Sequence, residues 1–226
     1  MNLTLQTRGV GRVTVVRCGG RIVAGAESVA LREHVAEILL DRRSIVLHMG
    51  EVAFIDSSGL GALVRVLSIT RQAHGELKLC CVPEHLRRIL EMTHMNKVFE
   101  MHETEELAVG AFYRGGAAGA AVAASSGKSV LCLDHDADVL ASLREVLRGA
   151  GYEVQTSTSL SDALMLARVT HPQLVLVGPD RVAGITALAG ACAGVPVLEL
   201  GKGFSTAQAG EAVEGLLERI RGKLGV

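Results

Sequence analysis

The sequence predicts an α/β protein built in two halves. Short β-branched and apolar runs at residues 44–49 (SIVLHM), 129–133 (SVLCL) and 174–177 (LVLV) read as strands buried within a sheet. Between such runs, apolar residues recur at helical spacing, so strands and helices alternate along the chain. Residues 114–127, RGGAAGAAVAASSG, carry small side chains with little to bury and read as a flexible linker. With 226 residues to distribute, the reading is a domain at 1–112, a linker at 113–127 and a shorter domain at 128–226.

The first two strands are expected at residues 3–8 and 13–18, with Gly9 and Gly11 supplying the hairpin turn between them. A break at Gly19-Gly20 and a short run Arg21-Ile22-Val23 precede a helix at 28–40, where Leu31, Val35, Ile38 and Leu39 share one face. After the strand at 44–49, a second helix at 58–74 repeats the pattern through Leu60, Leu63, Val64 and Leu67, and Gly75 stops it. A strand at 77–82, a short helix opened by Pro83 at 85–92, an edge strand at 97–101 and a helix at 103–112 complete this half. In the second half, strands are expected at 129–133, 152–156, 174–177 and 195–200. Helices are expected at 138–148, from Ser159 onward with Asp162 completing a capping box, and at 207–224. Strands alternating with helices imply right-handed crossovers and a parallel sheet covered on both faces, so the second half is expected to be doubly wound.

Composition narrows the function classes. Lys plus Arg number 23 against 24 Asp plus Glu, and aromatic residues make up 3%, so there is neither a basic footprint nor a stacking surface for nucleic acid. The uncharged stretch 115–127, mostly Ala and Gly, is too short to span a bilayer, and the N-terminus lacks a basic segment leading into an apolar run. A cytoplasmic protein without direct membrane insertion is expected. Five cysteines form no C-x-x-C pair, and four sit within apolar runs, where a reduced thiol packs as a small hydrophobe. The eight histidines show no metal-ligand spacing, so a metal site would need partners brought together by the fold; no metal and no cofactor is expected.

The segment Phe54-Ile55-Asp56-Ser57-Ser58-Gly59-Leu60-Gly61 joins a strand to an amphipathic helix. Asp56 and Ser57 stand where a helix leaves backbone N–H groups unpaired, so their oxygens suit capping, and Gly59 and Gly61 suit close backbone approach. A hydroxyl at such an exposed turn is also open to a kinase. Phosphate there adds about −1.5 to −2 charges, favoured by the helix dipole and repelled by Asp56, which alters a docking surface without unfolding the domain. A hydrolase built on Ser57 is disfavoured, because the G-x-S-x-G elbow is lacking.

Ile55-Asp56-Ser57-Ser58-Gly59-Leu60-Gly61, together with the SIVLHM strand and Gly20-Arg21-Ile22-Val23, resembles the signature of the STAS family, the bacterial anti-sigma factor antagonists, over residues 1–112. The resemblance implies a mixed sheet with helices packed on it and a binding protein rather than an enzyme. It implies Ser57 as phosphoacceptor with Ser58 as fallback, Asp56 as the neighbouring acid, and Asp56, Ser57, Ser58, Gly59, Leu60 and Gly61 as the partner-binding surface. The implied partner is an anti-sigma factor that is a serine kinase of the histidine-kinase-like ATPase fold, bound by the unphosphorylated protein and released by phosphorylation. A STAS subunit of a stress-sensing or membrane transport assembly is the alternative with a different partner.

The second half, through Val130-Leu131-Cys132-Leu133-Asp134-His135-Asp136, Gly151-Tyr152-Glu153-Val154, Ser161-Asp162-Ala163-Leu164 and the run from His171 to Val177, resembles a response-regulator receiver, a flavodoxin-like fold. Such a domain needs clustered carboxylates for Mg²⁺ and an aspartate phosphoacceptor after its third strand. Here Gly178 stands at that position, His135 replaces the usual second acid, and Asp180 lies two residues too far. Asp134 and Asp136 are the candidate residual acid pocket, read in preference as exposed turn and capping acids. Gly201 stands where a hydroxyl is expected, with Lys202 as a candidate for the receiver lysine. The expectation is a phosphorylation-dead, receiver-like module for homodimer formation or regulator docking, with an intact phosphorelay protein as the alternative.

Overall fold

The computed structural model describes residues 2–114, 128–192, 194–201 and 209–224, and the chain divides into two compact units, Met1–Ala120 and Ala121–Val226. From residue 115 onward the expected linker, like Lys202, lies outside the described residues.

In the first unit, β1 (Thr4–Val10) and β2 (Val13–Ile22) form the expected hairpin, with Gly11 at φ 59° in the turn. Next come α1 (Ala26–Asp41), β3 (Ser44–Ile55), α2 (Ser57–Gln72), β4 (Glu76–Cys80), α3 (Glu84–Met92), β5 (Glu100–His102) and α4 (Glu105–Arg114). The sheet runs β1-β2-β3-β4-β5, antiparallel at the first pair and parallel thereafter. Alternation along β3 divides its side chains between two layers. Ile45, Leu47 and Met49 join Leu31 and Val35 of α1 and Leu63 and Val66 of α2 in one core, all at 0% exposure. The opposite face is covered by α4, which lies against β3, β4 and β5 and buries Val109 and Phe112.

Three sequence expectations change here. Gly19-Gly20 does not end β2: the register slips between Arg17 and Gly19 and again between Gly20 and Arg21, so the glycines form bulges in a strand that continues to Ile22. Gly20 stands at φ 85°, where a Cβ would lie 2.2 Å from the Asn2 carbonyl oxygen. This extension of β2 supplies pairing partners for Glu51, Val52, Phe54 and Ile55, which is why β3 continues past residue 49 and delivers the chain directly to Asp56. The edge strand expected at 97–101 is instead a 3₁₀ turn, Met95–Lys97, followed by the three-residue β5.

The second unit contains β6 (Ser129–Leu133), α5 (Ala137–Gly149), β7 (Glu153–Ser157), α6 (Leu160–Thr170), β8 (Leu174–Val177), α7 (Ile185–Ala191), β9 (Val197–Glu199) and α8 (Ala209–Leu224). Its sheet is wholly parallel in the order β7-β6-β8-β9. Val130, Cys132, Leu174 and Leu176 pack with Leu143 and Leu147 of α5 and Leu216 and Ile220 of α8. Leu131, Leu133, Val175 and Val177 alternate to the other face, where α6 lies against β6 and β7 and α7 against α6, so helices cover both faces. The sequence reading did not anticipate α7 (ITALAGA), whose run of alanine and glycine gives little periodic signal. The expected capping box at α6 does not form: the Ser159 hydroxyl hydrogen-bonds the Ser161 hydroxyl at 2.8 Å, and Asp162 is buried.

Candidate functional site

Asp56 occupies the N-cap of α2 in extended conformation, and its Oδ1 accepts the Gly59 N–H at 2.7 Å. Its Oδ2 accepts the Ala24 N–H at 3.2 Å, which ties the loop after β2 to the start of α2. The Asp56 N–H in turn donates to the Ile22 carbonyl at 3.3 Å. The Gly59 N–H, followed by those of Ala24 and Ser58, holds the Asp56 carboxyl below the usual carboxylate range.

Gly59 is buried against this junction. A Cβ there would stand 2.0 Å from the Ile22 carbonyl oxygen and 2.7 Å from Ile55 Cγ1, so only glycine lets α2 start this close to the ends of β2 and β3. Gly61 behaves differently from the sequence expectation: a Cβ there meets nothing within 4 Å, and the residue is exposed. Its backbone is open to solvent rather than packed within the chain.

Ser57 and Ser58, the first two residues of α2, are both exposed. Ser58 and Gly61 line an open groove of about 440 Å³ between α1 and α2, with Ala24, Gly25, Val29, Arg32 and Arg65 among its other walls. Val29 is 39% exposed beside it. At the end of β3, Phe54 is 46% exposed, with the Arg21 guanidinium 5.0 Å from its ring centroid. Sequence reasoning missed the α1 side of this surface because Val29 and Arg32 belong to no motif; only the packing of α1 beside α2 puts them next to Ser58.

The sequence model of the STAS domain matches residues 4–108. A protein named as an anti-sigma factor antagonist, BtrV of Bordetella bronchiseptica, is 30% identical over 99 residues, spanning 43% of this chain and 85% of that protein. The chain belongs to the STAS family. The anti-sigma F factor antagonist of Paenibacillus polymyxa is 28% identical over 107 residues, which cover 46% of this chain and 91% of that one. The crystal structure of an anti-sigma factor antagonist from Thermotoga maritima is similar at 20% identity and a TM-score of 0.46, over 49% of this chain and 95% of that one. STAS anti-sigma factor antagonists are regulatory binding proteins, not enzymes.

In the second unit, the structure divides the two candidate acids. Asp136 caps α5, its Oδ1 accepting the N–H groups of Asp138 at 2.8 Å and Val139 at 3.4 Å, as the capping reading expects. Asp134 is not an exposed turn acid: it is 3% exposed, accepts the Asp136 N–H at 2.9 Å and faces His135 Nδ1 at 3.1 Å. The reason lies at the end of β8, where a Cβ on Gly178 would stand 2.1 Å from Asp134 Oδ2. The absent side chain of residue 178 is the space that the Asp134 carboxylate fills. Asp180 Oδ2 lies 3.8 Å from His135 Nδ1 and is exposed, directed toward the imidazole of that neighbouring loop.

Two cysteines fit the sequence reading as core hydrophobes: burial pushes the Cys18 and Cys132 thiols up to about 12. Among the described residues the fold nevertheless assembles a group that spacing along the chain did not reveal, His48, Cys80 and Cys81, whose ligand atoms lie within 4.8 Å of one another. Among the described residues no helix is long and apolar enough to cross a membrane.

Proposed function

We propose that this chain is an anti-sigma factor antagonist, a binding switch that engages a serine-kinase anti-sigma factor of the histidine-kinase-like ATPase fold and is released when Ser57 is phosphorylated. One observation carries the reading: exposed Ser57 stands on the first turn of a helix whose start is rigidly held by the Asp56 cap and the Gly59 contact, next in sequence to Ser58, which lines an open groove. A kinase can reach the hydroxyl without unfolding anything beneath it. The added dianion meets the favourable N-terminal dipole of α2, so the fold tolerates it. The same charge stands beside Asp56 and at the edge of the partner surface formed by Asp56 to Gly61, where a partner placed against neutral Ser57 would have to desolvate it. Ser58, also exposed and lining the groove, is the fallback acceptor.

For the second unit we propose a receiver-type module without phosphoacceptor chemistry, serving docking or self-association. Gly178 supplies no nucleophile, and the buried Asp134 carboxylate occupies the position where one would stand. This geometry counts against the phosphorelay alternative.

The decisive experiment is affinity capture from native lysate with wild-type and Ser57→Asp bait, and mass spectrometry of bait and partners. The proposal expects a kinase retained by wild type, lost with Ser57→Asp, and phosphate on Ser57 of the wild-type bait. Identical partners on both baits with no phosphate on Ser57 or Ser58 would reduce the domain to a constitutive scaffold.

A further inference from the structure

We infer that His48, Cys80 and Cys81 form a binding site for a thiophilic d¹⁰ cation of the Zn²⁺ class, which clamps β3 to β4 at the point where their pairing ends. The parallel register sets His48 directly beside Cys80, and paired residues in a parallel ladder project to the same face. Cys81 would ordinarily point the other way, because side chains alternate along a strand. It instead stands at φ 53°, in the left-handed region, and the turn brings its sulfur back to the other two groups. A non-glycine residue in this conformation is strained and marks a local arrangement that the surroundings enforce.

A second observation concerns the imidazole. Its ring lies over Gly50, where a Cβ would stand 2.8 Å from His48 Cε1 and 3.5 Å from Cys81 Cβ, so glycine at 50 is what makes room for the ring beside the thiols. The Gly50 N–H donates to His48 Nδ1 at 3.3 Å, a long bond that a metal at that nitrogen would replace at little cost.

The donor set selects the ion. Two thiolates and one imidazole suit Zn²⁺ or a similar soft ion and do not suit Mg²⁺ or Ca²⁺. Three protein ligands leave a fourth position for water. On binding, each cysteine S–H gives its proton to solvent as a metal–sulfur bond forms, and the imidazole gives up none. The place in the fold gives the clamp a purpose. The β3–β4 ladder ends at the His48 and Cys80 pair, and β3 runs on alone with β2 to Ile55 and the Asp56 cap.

The test uses full-length reduced protein titrated with Co²⁺ and then Zn²⁺, following the thiolate-to-cobalt charge-transfer absorption and proton release. Cys81→Ser and His48→Gln are compared, and far-ultraviolet circular dichroism verifies that each is folded. The expected result is a saturable charge-transfer band in the wild type that Zn²⁺ abolishes, and affinity in each variant lower by at least about 100-fold, since loss of a supporting contact alone costs 10–100-fold. Absence of the band in the wild type, or binding by both folded variants as tight as wild type, overturns the inference.

Discussion

Replacing Gly59 and Gly61 by alanine, one at a time, should move stability in opposite directions, although the two glycines are two residues apart on the same helix. At Gly61 a new Cβ meets nothing within 4 Å, so only helix propensity acts, and alanine is favoured over glycine by about 1 kcal/mol in a helix interior. At Gly59 the same gain is opposed by a Cβ placed 2.0 Å from the Ile22 carbonyl oxygen and 2.7 Å from Ile55 Cγ1. The nearer of these atoms is backbone held in the β2–β3 ladder, where Ile22 pairs with Ile55, so it cannot rotate away. Overpacking of this kind costs about 1–3 kcal/mol, and the immobility of the backbone argues for the upper end. Setting about 3 against about 1 leaves Gly59→Ala less stable by about 2 kcal/mol and Gly61→Ala more stable by about 1 kcal/mol. At roughly 4 °C per kcal/mol, the two variants should melt about 12 °C apart. Differential scanning calorimetry on the full chain reads this as opposite shifts of one transition. A Gly59→Ala protein that melts at or above wild type would refute the close approach of α2 to Ile22, and with it the rigid base beneath Ser57.

Because the Asp56 carboxyl is held below its usual range by the Gly59 N–H, its contribution to stability is present above the unfolded-state pKa and is lost as pH falls through the folded value. Asp56→Asn keeps a capping oxygen but cannot titrate, so its unfolding midpoint should fall less steeply than wild type between about pH 5 and pH 2. Equal slopes for the two proteins would remove Asp56 from the cap. In the second unit, Gly178→Asp supplies the residue type of a receiver phosphoacceptor, but its Cβ would stand 2.1 Å from Asp134 Oδ2 and bring a second carboxylate against a buried one. This variant should unfold at lower denaturant and take no phosphate from acetyl phosphate, as the wild type should take none. Labelling of either protein on an aspartate of this unit would return phosphoryl transfer to consideration.

The sequence by itself determined the features that local physics controls. Asp-Ser-Ser-Gly at a strand-to-helix junction specifies a helix start wherever it occurs, because an aspartate at the N-cap reaches the N–H three residues on without help from the rest of the fold. The cap of α5 by Asp136 was legible for the same reason, and periodicity announced the buried Leu31, Val35 and Leu39 of α1 and the buried Leu63 and Leu67 of α2. Tertiary structure decided what depends on partners distant in sequence. Gly19-Gly20 reads as a break in the sequence, yet pairing with Glu51 and Val52 turns it into a bulge and carries β2 on to Ile22. Asp134 reads as an exposed acid, yet the missing side chain at Gly178, on a different strand, gives its carboxylate a buried place. His48 and the Cys80-Cys81 pair have no metal-ligand spacing, and they meet because the register of β3 on β4 sets His48 against Cys80 and a left-handed turn redirects Cys81. Capping and amphipathic period are written within a few consecutive residues, whereas register, bulges and the space left by a neighbour's glycine arise only when strands pair.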